Sequence, residues 1–182
     1  MKLHRKPVSR AHRAGFNMIE LLVTISIIGV VMTIGAPSLK TTIDDMRLST
    51  TANNLLTFFN YARSESAKRG ARVTLCISDS NLALCDTGAT NWARGAIAFL
   101  DSNANGQWDA GEDILRVLDP LAAEYTIQPL AAFATGYYFY YRPSGAASSA
   151  GTLRVCRTGR TARDVSVNSV GRPMSQPSVT CP

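Results

Sequence analysis

Beyond His12 the chain has no histidine, and none of its 182 residues forms a Gly-x-Ser-x-Gly elbow or a phosphate loop. Without a general base or an activated nucleophile to build on, we expect no enzyme. The four cysteines include no C-x-x-C pair, and with no histidine to complete a ligand set a zinc site is poorly supported. Negative charge is missing from two N-terminal stretches. Met1 to Gly15 carries Lys2, Arg5, Lys6, Arg10 and Arg13 but no acid, and Leu21 to Ser38 carries no charge at all.

The basic head reads as a segment retained on the cytoplasmic side of a bilayer. The uncharged run is about long enough for a helix to cross a ~30 Å hydrocarbon layer. Secretory signals are cleaved at small residues beyond their apolar stretch, whereas here Gly15 precedes it. A cut after Gly15 would leave the anchor on the product. Glu20 lies at the start of the run, where a carboxylate is costly without a partner. Cleavage between Gly15 and Phe16 would create an α-ammonium about a helical turn away, a natural counter-ion on the same chain or a neighbour.

The formal charge of +6 includes five positive charges in the head, so the remainder is near +1. Val73 to Tyr141 sets Arg94 and Arg116 against eight acids. From Arg142 onward, Arg142, Arg154, Arg157, Arg160, Arg163 and Arg172 face Asp164 alone, with no lysine. This asymmetry suggests an anion-facing surface. In an exported domain the even cysteine count fits two disulfides. Three pairings exist, and the local one, Cys76 with Cys85 and Cys156 with Cys181, is the simplest.

Gly35-Ala36-Pro37 should loosen or kink a helix and could act as a hinge. From Leu39 the residues Ile43, Met46, Leu48, Leu55, Leu56, Phe59 and Ala62 recur at helical spacing, and Gly70 should end the helix after Arg69. Short β-rich runs follow at Arg72–Ile77, Gly95–Leu100, Ile114–Leu118, Tyr125–Gln128, Tyr137–Arg142, Leu153–Arg157 and Asp164–Asn168, separated by turn residues. The expected fold class is α+β, with a long N-terminal helix packed on one or two antiparallel sheets. Residues 1–15 form a leader, 16–39 an anchoring helix and 40–182 one globular domain, with an amphipathic helix over 40–69 and a β-rich part over 70–182.

Three stretches are candidates for chemistry. Asp101, Asn103, Asn105, Gly106, Asp109 and Glu112 match the calcium-loop pattern D-x-[DN]-x-[DN]-G-x₅-E. The flanks are strands, however, and Asn-Gly is also what a hairpin needs, so a structural turn is the preferred reading and no cofactor is expected. Tyr137 to Tyr141 beside Arg142 could stack nucleic-acid bases, but strand alternation sends about half of these rings into the core. The arginine tail could bind phosphate bidentately or simply be a solvated face.

Gly15-Phe16, Glu20 and the apolar run resemble the class III leader and N-terminal helix of type IV pilins and type II secretion pseudopilins, with Asn17-Met18 in place of the usual Thr-Leu. The resemblance implies cleavage after Gly15 and N-methylation of Phe16 by a prepilin peptidase. It also implies packing of the helix into a filament core, with Glu20 pairing to a neighbour's N-terminus. Tyr61-Ala62-Arg63-Ser64-Glu65, Trp92-Ala93-Arg94-Gly95 and the cysteine-containing tail resemble the GspH/FimT branch. The implied function is that of a minor pilin, with other minor and major pilins as partners. Its implied location is the inner membrane, spanned once with a periplasmic domain, and then the pilus or cell surface. FimT-type pilins that bind DNA carry a C-terminal Gly-Arg-x-Arg. Gly171-Arg172-Pro173-Met174 lacks the second arginine, with Arg160 and Arg163 in the preceding turn to compensate and Arg157 as a further candidate DNA contact. A DNA-binding pilin and a GspH-like secretion pseudopilin are the alternatives.

Overall fold

The computed structural model describes residues 15–130 and 136–182, without the side chains of 34–38. Helix α1 runs Met18–Arg69. Asn17 precedes it, its carbonyl accepting from the amides of Glu20 and Leu21, and Glu20 in the first turn complements the helix dipole. Lys68 and Arg69 occupy the last turn and pair with Glu65, while Gly70 closes the helix at φ 60°. The helix is unbroken across Gly35-Ala36-Pro37, where the sequence suggested a hinge. The chain divides into two compact units, Met1–Thr42 and Ile43–Pro182. The leader, apart from Gly15, lies outside the described residues.

After α1 come β1 (Val73–Ile77), a one-turn 3-10 helix at Trp92–Arg94, β2 (Ala96–Leu100), β3 (Ile114–Leu118), β4 (Tyr125–Leu130), β5 (Tyr138–Tyr141), β6 (Gly151–Arg157), β7 (Thr161–Val167) and β8 (Pro173–Thr180). They form two antiparallel four-stranded sheets, in the orders β3-β2-β1-β5 and β4-β6-β7-β8. All seven runs read as strands from the sequence are strands. The eighth, β8, escaped that reading because Pro173 and Pro177 argue against a strand except at a sheet edge, which is where it lies.

One core joins the rear of α1 to both sheets. Leu48, Ala52, Leu55, Phe59 and Ala62 pack with Leu75, Ala98 and Phe139 of the first sheet and Ile127, Leu153, Val155 and Val165 of the second. Phe59 meets Phe139 edge-to-face at 5.5 Å between ring centres. Each such fully buried side chain contributes roughly 1.5–3 kcal/mol by leaving water. Ile43 and Met46, expected on the core face, are exposed. A smaller cluster of Cys76, Ile97 and Phe99 covers the opposite face of the first sheet, with Trp108 and Tyr138 against it.

Disulfides link Cys76 to Cys85 and Cys156 to Cys181, each with 5.6 Å between Cα atoms. The second ties the C-terminus to β6, and the Cys181 amide donates to the Arg160 carbonyl.

Candidate functional site

The front of α1 is apolar and uncovered. Phe16 is 77% exposed and Ile27 58%, with Leu22, Ile25, Val30 and Val31 similar. Gly15 and Phe16 precede the first helical residue, so the expected scissile bond lies outside the helix. Glu20 is exposed and makes no ion pair among the described residues. Among the described residues no helix is long and apolar enough to cross a membrane. The run read from the sequence continues through 34–38, whose side chains are outside those residues.

The arginine tail is divided by its partners. Arg154 grips Asp164 with two 2.8 Å hydrogen bonds and also reaches Ser178. That hydrogen bonding, chiefly from Arg154, holds the Asp164 carboxyl below the usual range. Arg157 pairs with Asp44 and, at 3.5 Å, with Glu124, while Arg160 approaches Asp44 at 3.7 Å. Asp44 is buried at the start of the second compact unit, so these arginines tie the second sheet to α1. Two of the residues read as DNA-binding candidates are therefore occupied within the fold. The sequence could not reveal this, because Asp44 is far away along the chain and carries no local motif.

Arg163 lies near Asp45 and Thr161, which line a cavity with it. Arg142 and Arg172 are exposed, and neither makes an ion pair among the described residues. They flank a junction that the sequence did not suggest. The Arg63 guanidinium, from α1, donates to the carbonyls of Gly145 and Val170, both at 3.1 Å. Gly171 has φ 84°, and a Cβ there would run into the Gly145 carbonyl oxygen. The Gly171-Arg172 pair thus has a packing requirement at its glycine and an open side chain at its arginine.

The Asp101 to Glu112 loop is held by internal hydrogen bonds. Buried Asp101 accepts from Thr74 Oγ1 at 2.6 Å and the Gly106 amide at 3.1 Å, and pairs with Arg72 at 3.0 Å. Asn103 and Asn105 both donate to Asp109, and Glu112 accepts from Ser102. Among the described residues no group of three or more acidic, histidine or cysteine side chains is arranged to hold a metal ion. In the tyrosine run, Phe139 and Tyr141 are buried while Tyr138 and Tyr140 stack on the other face. Arg72 lies 3.6 Å from the Tyr140 ring centre. Burial pushes the Tyr141 phenol well up.

Residues 51–171 match the family model described as type II transport protein GspH. The chain is 32% identical over 101 residues to Pilin-like protein PilA1 of Thermus thermophilus, a match spanning 56% of each chain. Its fold is similar to crystal structures of type IV minor pilin FimU of Pseudomonas aeruginosa in two crystal forms. For one the TM-score is 0.58 at 22% identity, covering 76% of this chain and 95% of that one. For the other it is 0.53 at 19% identity, covering 74% and 96%. A family match over most of the globular unit, on a helix-and-two-sheets fold shared with those structures, gives one conclusion: the chain belongs to the GspH family.

Proposed function

We propose that the chain is a minor type IV pilin, cut between Gly15 and Phe16, methylated on Phe16 and built into a pilus where it helps to initiate the filament. The observation that carries this reading is the bare apolar front of α1 with Glu20 unpaired within it. Such a surface is stable only when covered, first by the inner membrane as a single span and then by neighbouring helices. There Glu20 meets the amino group of an adjacent subunit. The other pilins and a prepilin peptidase are the implied partners.

The test is expression in a piliated host, with the N-terminus sequenced and sheared filaments probed for the chain. Cleavage before Phe16 and recovery in filaments are expected, with recovery lost in Glu20→Ala but cleavage retained. An intact leader would overturn the reading. Recovery only with secretion filaments, joined to a secretion defect on deletion, would reassign it as a pseudopilin.

Exposed Arg142 and Arg172 favour a second reading, a pilin that also binds DNA. Phosphate contacts would make duplex binding fall with salt at a log-log slope of about −0.9 per contact. An Arg142→Ala, Arg172→Ala variant should lose that binding. If binding instead follows Arg163, or is absent at low salt, this second reading fails.

A further inference from the structure

A four-stranded sheet has two end strands whose free backbone edges invite pairing with another chain, and folds manage these edges explicitly. Here three of the four end strands are closed. β8 carries Pro173 and Pro177, which have no N–H to donate. β4 carries Pro129, and its Ile127 amide donates to Asn91 Oδ1 at 2.9 Å. The β5 edge is taken by the chain that follows it, with Arg142 N–H on the Ala146 carbonyl and Ser148 N–H on the Tyr140 carbonyl.

The remaining end strand, β3, is different. Ile114–Leu118 contains no proline and no lysine, and no backbone pairs with its outer edge among the described residues. Among the described residues Tyr61 of α1 reaches the strand, its Oη donating to the Leu115 carbonyl at 3.3 Å and its ring centre lying 5.1 Å from the Arg116 guanidinium. Ile114 and Val117 are exposed. Beside the strand, a cavity of about 310 Å³ is lined by Thr51, Asn54 and Thr57 of α1 together with Val117 and Leu118.

We infer that the β3 edge accepts one more antiparallel strand, an extended segment of a different subunit, with cationic residues at its ends and an acid at its centre. The charges select this occupant. Asp109, Glu112 and Asp113 precede β3 and Asp119 follows it, none in an ion pair among the described residues, while Arg116 lies between them. A second copy of β3 is a poor occupant. Antiparallel self-pairing centred on the strand would set Arg116 against Arg116 and Asp113 against Asp119, and like charges directly opposite are destabilising. The incoming backbone supplies the ladder hydrogen bonds and its alternate side chains enter the cavity, as in strand addition to other exposed edges. The inference rests on the assembly reading only in identifying the donor as another pilin.

The test uses the full chain in detergent micelles and the peptide Lys-Val-Thr-Glu-Thr-Val-Lys, beside its charge-inverted form Glu-Val-Thr-Lys-Thr-Val-Glu. The lysine-ended peptide should bind at least roughly fivefold tighter and slow amide exchange over residues 114–118. Val117→Pro should abolish binding of both peptides. The double variant Asp113→Lys, Asp119→Lys, altered at exposed positions only, should reverse the preference. Equal binding of the two peptides, no binding, or exchange unchanged over 114–118 would overturn the inference. The assembly reading is judged separately, by cleavage before Phe16 and recovery in filaments, and neither depends on these peptides.

Discussion

The two halves of α1 have opposite surroundings, and the more apolar front half is the uncovered one. Along the front, Leu22, Ile27 and Val31 point into solvent, whereas in the rear Leu48, Leu55 and Phe59 are essentially inaccessible. The rear is a core element whose apolar stripe packs against two sheets. The front has no such partner among the described residues, so its apolar side chains contribute little to the folded domain. The difference teaches that one continuous helix can be a core element in one half and, in the other, the uncovered surface on which the proposed assembly rests.

Substitutions should separate those halves, measured by denaturant unfolding of the full chain in micelles. Phe59→Ala, which empties the centre of the core, should cost about 4 kcal/mol. A loss below about 1 kcal/mol would mean that the rear is not the keystone we describe. Gly171→Ala tests what seals the rear near Arg63. With φ at 84° and the Gly145 carbonyl in the way, about 2 kcal/mol should be lost.

Asp44→Asn sharpens the comparison where the second compact unit begins. It leaves Arg157 and Arg160 without their shared acid and should cost about 1–2 kcal/mol, with high salt lowering the difference between variant and parent. Away from the helix, Asp164 provides a pH signature. Its folded-state pKa is depressed, so its contribution is fully present above the ordinary carboxylate value of about 3.9 and is lost as pH falls through the lower folded value. Asp164→Asn should cost about 1 kcal/mol near neutrality and flatten that acid limb. At the small end, Leu22→Ala should change unfolding by less than about 0.5 kcal/mol while lowering recovery in filaments. A large stability loss there would erase the distinction between front and rear.

Much of this was legible along the chain. Helical spacing found Leu48, Leu55, Phe59 and Ala62, and β-rich runs between turn residues located seven strands, because both signals are local in sequence. The spacing failed at Ile43 and Met46, since periodicity records which residues share a face and not where the sheets stop covering it. It missed β8 because proline is read as a strand breaker until the strand is known to lie at an edge. In the candidate site, Gly171-Arg172 was visible as a pair, but the place Arg63 takes beside it was not. Its partners are two backbone carbonyls, and carbonyls leave no trace in side-chain identity.

By itself the amino-acid order determined the basic head, the uncharged run, the position of Glu20 and the succession of one long helix and short strands, all set by hydrophobic period, backbone preference and charge within a few residues. Only the tertiary structure decided which tail arginines are occupied by Asp44 and Asp164 and, among the described residues, which make no ion pair and which of the four sheet edges stays unpaired. Those outcomes depend on which distant residues the packing of α1 against the two sheets brings within a few ångströms of one another.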